Sequence, residues 1–123
     1  MTDEILRYLA GEQSAMVALL TDLAEHAGLP WDLIFSAELA RHYKPDREAY
    51  LIAPNRLALN PEDVMMCAAH TGDLKAAGSF GLRTAFVHRP DEFGLTRKAD
   101  VAKTGDFDVV AESILELASK LGA

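Results

Sequence analysis

Short apolar runs that alternate with segments of helical periodicity most constrain how this 123-residue chain can fold. Residues 32–38, 64–70 and 83–88 are apolar runs too short to be buried helices, and each ends at polar or turn-forming residues. Such runs are typical of strands covered on both faces. Residues 108–110 predict a short edge strand. Since strands that alternate with helices form parallel sheets, the pattern predicts an α/β fold with a small, mostly parallel sheet of about four strands.

The first 28 residues predict a long N-terminal helix. Asp3 and Glu4 fall in its first turn, where negative charge suits the helix dipole, and Gly28 and Pro30 end it. Gly11 weakens the middle of this span, which leaves two alternatives: one long helix, or a strand-like start followed by a helix. The apolar positions at helical spacing are Ile5, Leu6, Leu9, Met16, Leu19, Leu20 and Leu23.

The later helices are shorter and have clearer ends. Residues 46–59 predict a helix with a kink or an early stop at Pro54, because proline removes a backbone hydrogen bond. Residues 71–80 predict a second helix, and a third ends near Leu121. Residues 89–107 predict a polar loop. The whole chain is interpreted as one domain, 1–123, with the N-terminal helix followed by βα units from residue 32.

Composition excludes several classes of protein. A net charge of -7 with no dense basic cluster argues against nucleic acid as a partner. No run approaches the roughly 18 apolar residues of a membrane span, and the acidic start is unlike a secretory signal, so we expect no membrane association. The single Cys67 lies in an apolar run, which predicts a small core residue and a cytoplasmic protein.

Polar residues that follow predicted strands mark a candidate site. Ligands of parallel sheets bind beyond the carboxyl ends of the strands. That rule places five residues around one rim: Ser36, Glu38, Ala69, His70 and Asp73.

Four motifs resemble a known family. They are Phe-Ser-Ala-Glu at 35–38, Tyr-Lys-Pro-Asp at 43–46, Ala-Ala-His-Thr-Gly-Asp at 68–73 and Gly-Leu-Arg-Thr-Ala-Phe-Val at 81–87. In this order they are similar to the C-terminal core of type II (L-2-) haloacid dehalogenases of the haloacid dehalogenase superfamily. The resemblance covers roughly the last 105 residues and implies a truncated Rossmannoid fold of two or three layers.

The resemblance assigns two catalytic roles. In the family an aspartate ending the first strand attacks the substrate, a lysine after the third strand steadies it, and an acidic motif follows the fourth. These roles carry over to Lys44 and Asp73. No Asp-x-Asp or Asp-x-x-Gly-Thr element precedes a predicted helix in the way that the family's nucleophile motif does, so the nucleophile is missing from these residues. Ser14 is an off-register replacement in the family's second motif.

Each candidate residue also has an ordinary structural explanation. Lys44 could be a solvated lysine, and Asp73 could cap the following helix. His70 is a general base by type, or a hydrogen-bonded histidine at the rim. Ser36 and Glu38 either line the pocket or bind loops. With Asp73 as the only carboxylate of its motif, we expect no metal and no other cofactor.

Three functions compete. The leading hypothesis is a dehalogenase-like relic or interaction domain, inactive as an isolated chain and self-associating as a homodimer through its N-terminal helix or an exposed sheet edge. The second is an active hydrolase, completed by another chain or by a recruited residue such as Asp22. The third is a non-enzymatic module that uses the same rim to bind a protein or a small ligand, such as an organic acid.

Overall fold

The computed structural model describes residues 15–123, which fall into two compact units. In the sequence the boundary between the units lies between Leu57 and Ala58. The first unit contains helices α1 (Ala15–Ala27), α2 (Ala37–Ala40) and α3 (Arg47–Leu57). The second contains a 3-10 turn (Pro61–Asp63), strands β1 (Met65–Ala68), β2 (Arg83–Val87) and β3 (Val109–Ala111), and helices α4 (Thr71–Ser79) and α5 (Ile114–Lys120). Among the described residues, no helix has the length and apolar character needed to cross a membrane.

Helix α1 ends as the sequence predicts. Gly28 adopts a left-handed conformation with φ +67°, and its N–H donates to the Glu25 carbonyl over 3.1 Å. The N–H of Leu29 donates to the Ala24 carbonyl over 2.9 Å, which completes a Schellman motif. The rest of the predicted helix, residues 2–14 with Gly11 and Ser14, lies outside the described residues.

The prediction of a strand at residues 32–38 is wrong. Residues 32–36 form no strand, and helix α2 begins at Ala37. Ser36 is the N-cap, and its carbonyl accepts from Leu39 N–H over 3.1 Å. A short apolar run does not by itself distinguish a strand from a loop that leads into a helix. Here Leu33 is 56% exposed, and helix α2 includes the last residues of the run. The described sheet therefore has three strands rather than about four.

Helix α3 passes through Pro54 without stopping. The helix continues three residues further, to Leu57, and the Pro54 ring is fully buried. Burial of the ring and of Tyr50 and Leu51 on the same helix offsets the lost backbone hydrogen bond. The chain then turns at Ala58, which has φ +54°.

The sheet of the second unit is parallel, in the order β1-β2-β3. Cys67 lies opposite Ala85, and Ala85 lies opposite Val109. Four residues of the central strand β2 are buried, from Thr84 to Val87, as expected for a strand covered on both faces. The predicted strands at 64–70, 83–88 and 108–110 are thus confirmed, and the loop between the last two is confirmed as well.

Helices cover both faces of this sheet. On one face Leu117 of α5 packs with Ala85, Val87 and Ala111. On the other face α4 lies so close to β2 that a Cβ added at Gly78 would stand 3.7 Å from the Thr84 methyl group. The second unit is therefore a three-layer arrangement, one of the two forms that the resemblance implies.

Cys67, which the sequence predicts as a small core residue, is exposed, and Trp31 is exposed as well. Cys67 is exposed on β1, the outermost strand of the described sheet on its side. Desolvation nevertheless raises the pKa of its thiol, which disfavours a nucleophilic thiolate. Trp31 is 63% exposed, because the segment that contains it forms no strand.

Candidate functional site

The carboxyl ends of β1 and β2 open onto one rim of the second unit. β1 ends at Ala68, and two residues later His70 is the N-cap of α4. β2 ends at Val87 and leads into a long connection, residues 88–108, which contains neither helix nor strand. Because the strands are parallel, the start of α4 and this connection lie at the same edge of the sheet.

His70 is paired with a carboxylate from the connection. Its Nε2 lies 2.7 Å from Glu92 Oε1. The Glu92 side chain is only 16% exposed, whereas the His70 side chain is 50% exposed. An ionised carboxylate can only accept, so the Nε2 N–H donates to Glu92, and in the neutral imidazole Nδ1 is then the acceptor. A histidine held in this way can take a proton from water or another small donor.

The second oxygen of Glu92 lacks a hydrogen-bond partner among residues 15–123. Oε2 is buried and forms no hydrogen bond with any residue that the structure describes. A buried carboxylate oxygen without a donor is costly, by roughly 1–3 kcal/mol or more. Glu92 therefore has the capacity to accept one further hydrogen bond beside His70.

The Asp100 carboxylate binds Thr71, the residue after His70. Asp100 Oδ2 accepts from the Thr71 N–H over 2.8 Å and from the Thr71 hydroxyl over 2.9 Å. These two hydrogen bonds lower the pKa of Asp100, and the charge of Arg97 and that of His70 in its protonated form add to the effect. Asp100 thereby satisfies one of the free N–H groups at the start of α4.

An aromatic side chain joins the histidine to a cation. The Phe93 ring stacks on His70 with a centroid separation of 6.1 Å and an angle of 14° between the planes. The guanidinium carbon of Arg97 lies 3.8 Å from the centroid of the same ring, within the range of a cation–π interaction. The connection is thus fixed against the rim by charged, polar and aromatic contacts.

Asp73 lies in the first turn of α4, three residues after the N-cap. At this position a carboxylate suits the helix dipole, which is the structural explanation that the sequence left open. Its inherited catalytic role remains a prediction.

Lys44 belongs to the first unit, on the loop between α2 and α3. Its ammonium group lies 5.3 Å from the centroid of the Tyr50 ring, and Tyr50 is buried in α3. The ring holds the lysine side chain without neutralising its charge. Its inherited role beside the family's nucleophile remains a prediction.

The two other predicted residues of the first unit have different surroundings. Glu38 Oε2 accepts from the Met16 N–H over 3.1 Å, so this carboxylate stabilises the start of α1. Ser36 has a buried hydroxyl oxygen with no hydrogen-bond partner among residues 15–123. The Ser36 hydroxyl can thus form a further hydrogen bond, whereas the Glu38 carboxylate already binds the start of α1.

Within the described part of the chain, no group of three or more His, Cys, Asp or Glu side chains is placed to hold a metal ion.

Sequence reasoning missed Glu92 and Asp100. Both lie in the stretch 89–107, which the sequence predicts only as a polar loop. The available signal was positional: the stretch directly follows a buried strand, at the edge where ligands of parallel sheets bind. Its acidic residues were therefore candidates for the rim.

Known proteins similar to this chain are dehalogenases. The solved L-2-haloacid dehalogenase PA0810 is 50% identical over 85% of the chain, with a TM-score of 0.78, and the defluorinating L-2-haloacid dehalogenase Rha0230 is 48% identical over 87%, with a TM-score of 0.81. The (S)-2-haloacid dehalogenase 4A of Burkholderia cepacia is 38% identical over 47% of the chain. The chain is related to the 2-haloacid dehalogenases. No family model matches the sequence.

The dehalogenase-like chain spans less than half the length of these relatives. It covers 46% of PA0810, 44% of Rha0230 and 25% of the Burkholderia cepacia enzyme. The shared part includes a Rossmannoid core with a small parallel sheet, which confirms the predicted family and fold class.

The pKa shift of Asp100 predicts how the rim responds to pH. A lowered pKa in the folded state means that the carboxylate stabilises the fold above its unfolded pKa, about 3.9. That stabilisation is lost as the pH falls through the lower folded value. We expect Asp100→Asn to destabilise the chain at pH 7, and the difference from wild type to shrink below about pH 4 in chemical denaturation.

Asp91→Asn provides the matched control, because Asp91 is exposed and forms no ion pair with any described residue. It should leave the unfolding free energy unchanged at both pH values. Equal effects of the two substitutions at pH 7 would contradict the anchoring role of Asp100.

Proposed function

We propose that this chain supplies the C-terminal part of a hydrolytic site of the haloacid dehalogenase type, acting on 2-haloacids. The observation that supports it most is the high identity to solved L-2-haloacid dehalogenases over most of the chain. Lys44 and Asp73 occupy the positions that match the family's lysine and acidic motifs. Lys44 stabilises the ionised form of a nucleophilic carboxylate. Asp73 provides the family's acidic group, in the first turn of the helix that follows β1.

The pair of His70 and Glu92 supports a hydrolytic rather than a purely structural site. In covalent hydrolysis a carboxylate displaces the leaving group and forms an ester, which water then cleaves. The second step needs a base, and His70 Nδ1 is an acceptor at the rim beside β1. Glu92 positions the ring for this step.

The isolated chain should be catalytically incomplete. None of its 123 residues forms the Asp-x-x-Gly-Thr element that carries the family's nucleophile. The general base and the cation have nothing to act on without that aspartate, because the ester intermediate cannot form. Another segment or chain must provide it.

Halide release from a panel of 2-haloacids, with an aryl phosphate alongside, tests this proposal. We expect no turnover by the folded chain alone. Adding a separately produced segment of a related dehalogenase that carries the nucleophile strand should give halide release. That activity should fall by at least about a hundredfold in Lys44→Ala or Asp73→Asn, the scale of loss typical for a catalytic group.

Two results would contradict the proposal. Turnover by the chain alone, abolished by Lys44→Ala, would mean that a nucleophile lies within these residues. No halide release from a mixture in which the two parts demonstrably bind each other would mean that the site is not dehalogenase-like.

We also propose that the chain self-associates through α1. Three of its leucine and methionine side chains are about half exposed and lie at i, i+3 and i+7 on one face: Met16 at 46%, Leu19 at 52% and Leu23 at 54%. An apolar stripe of this kind in water favours contact with another apolar surface, and a second copy offers the same stripe.

Sedimentation at micromolar concentration measures this association. We expect a dimer for the wild type and a monomer for Leu19→Lys, which places a charge within the stripe. Glu25→Lys, a charge change at an exposed position of the same helix, should remain dimeric. A wild-type monomer would contradict the proposal.

A further inference from the structure

We propose that the connection between β2 and β3 binds a small organic anion with a short apolar body. The site is a depression of about 450 Å³, lined by the cationic or ionisable His88, Arg97 and Lys98 and by the apolar Pro90, Leu95 and Val101. We call it the anion depression. This binding function goes beyond the proposed hydrolysis and involves neither Lys44 nor Asp73.

The size of the anion depression suits a small molecule. Ligand sites in proteins typically measure about 300–1,000 Å³, so 450 Å³ accommodates a molecule of roughly ten non-hydrogen atoms. The depression is open to solvent on one side, which favours rapid and weak binding over tight enclosure.

The charge of the lining selects an anion. The chain as a whole carries a net charge of -7, and the Glu112 carboxylate lies 2.9 Å from His88 Nδ1, so the positive charge of the lining comes from Arg97 and Lys98; no Asp or Glu lines the depression itself. Arg97 is held over the Phe93 ring at 3.8 Å, and Lys98 forms no ion pair with any residue that the structure describes. The Arg97 guanidinium on the Phe93 ring and the exposed Lys98 ammonium attract a carboxylate, and the guanidinium can bind it in bidentate fashion.

The apolar part of the lining is exposed without a cover. Leu95 is 107% exposed and Val101 is 73% exposed. Covering exposed aliphatic side chains is favourable, so a ligand with an alkyl or aryl body binds more tightly than inorganic phosphate or acetate. Cations beside exposed apolar side chains therefore favour an amphipathic anion.

Three anchors fix the connection that forms the depression. Glu92 binds His70, Asp100 binds Thr71, and Asp108 accepts from the Thr84 N–H over 2.8 Å. The segment with Arg97 and Lys98 lies between the first two anchors. Because both ends of that segment are held, a ligand does not have to order the loop, which lowers the entropic cost of binding.

Titration of the isotope-labelled chain with benzoate, followed by NMR amide shifts, tests the proposal. We expect saturable shifts confined to residues 88–101, with a dissociation constant on the order of 1 mM. Benzamide has the same shape without the charge and should bind at least about fivefold more weakly. Raising the salt concentration should weaken benzoate binding because the cations are exposed.

Variants separate the anion depression from general charge attraction. Arg97→Ala and Lys98→Ala should each weaken benzoate binding about threefold to fivefold, as expected for exposed charge pairs. Lys103→Ala removes a lysine from the same connection that does not line the depression, and it should leave the affinity unchanged.

Several outcomes would overturn the proposal. These are benzoate shifts outside residues 88–101, equal affinity for benzamide, equal effects of Arg97→Ala and Lys103→Ala, and binding only to anionic lipid vesicles. The titration measures binding and needs no turnover, so its result is independent of the halide-release experiment.

Discussion

The second unit depends on its central strand β2, which is hydrogen-bonded along both edges and covered on both faces. β2 is bonded in parallel to β1 on one edge and to β3 on the other, and residues 84–87 are buried between two layers of helix. A strand in this position cannot slip by one residue without turning its apolar side chains to the wrong face. The fixed register brings the ends of β1 and β2 to one edge, where the candidate site lies.

The connection after β2 fixes the side chains at this edge of the sheet. Its carboxylates reach back to the start of α4, where Glu92 holds the His70 ring and Asp100 holds both hydrogen-bonding groups of Thr71. Each contact spans more than 20 residues of sequence, so it closes a large loop at an entropic cost that increases only slowly with length. The rim therefore combines the rigidity of a strand end with side chains from a loop.

The parts of this fold that the sequence predicts are those set by local pattern. The runs at 64–70 and 83–88 are continuous apolar stretches bounded by turns, and Gly28 marks a helix end through its positive φ. The strand at 32–38 was predicted on the same criterion and is wrong, because periodicity does not report that Ser36 starts a helix. Pairing of His70 with Glu92 is a long-range contact that no local pattern encodes.

The chemistry proposed for the rim depends most directly on the position of the His70 proton. In the folded chain at pH 8.5, nitrogen NMR of the imidazole should show the proton on Nε2, held by the Glu92 carboxylate, with Nδ1 as the free acceptor. Glu92→Ala should give a mixture of both tautomers, while Glu112→Ala should leave His70 unchanged and affect only His88, its own partner. A His70 proton on Nδ1 in the wild type, or a tautomer unaffected by Glu92→Ala, would contradict the account.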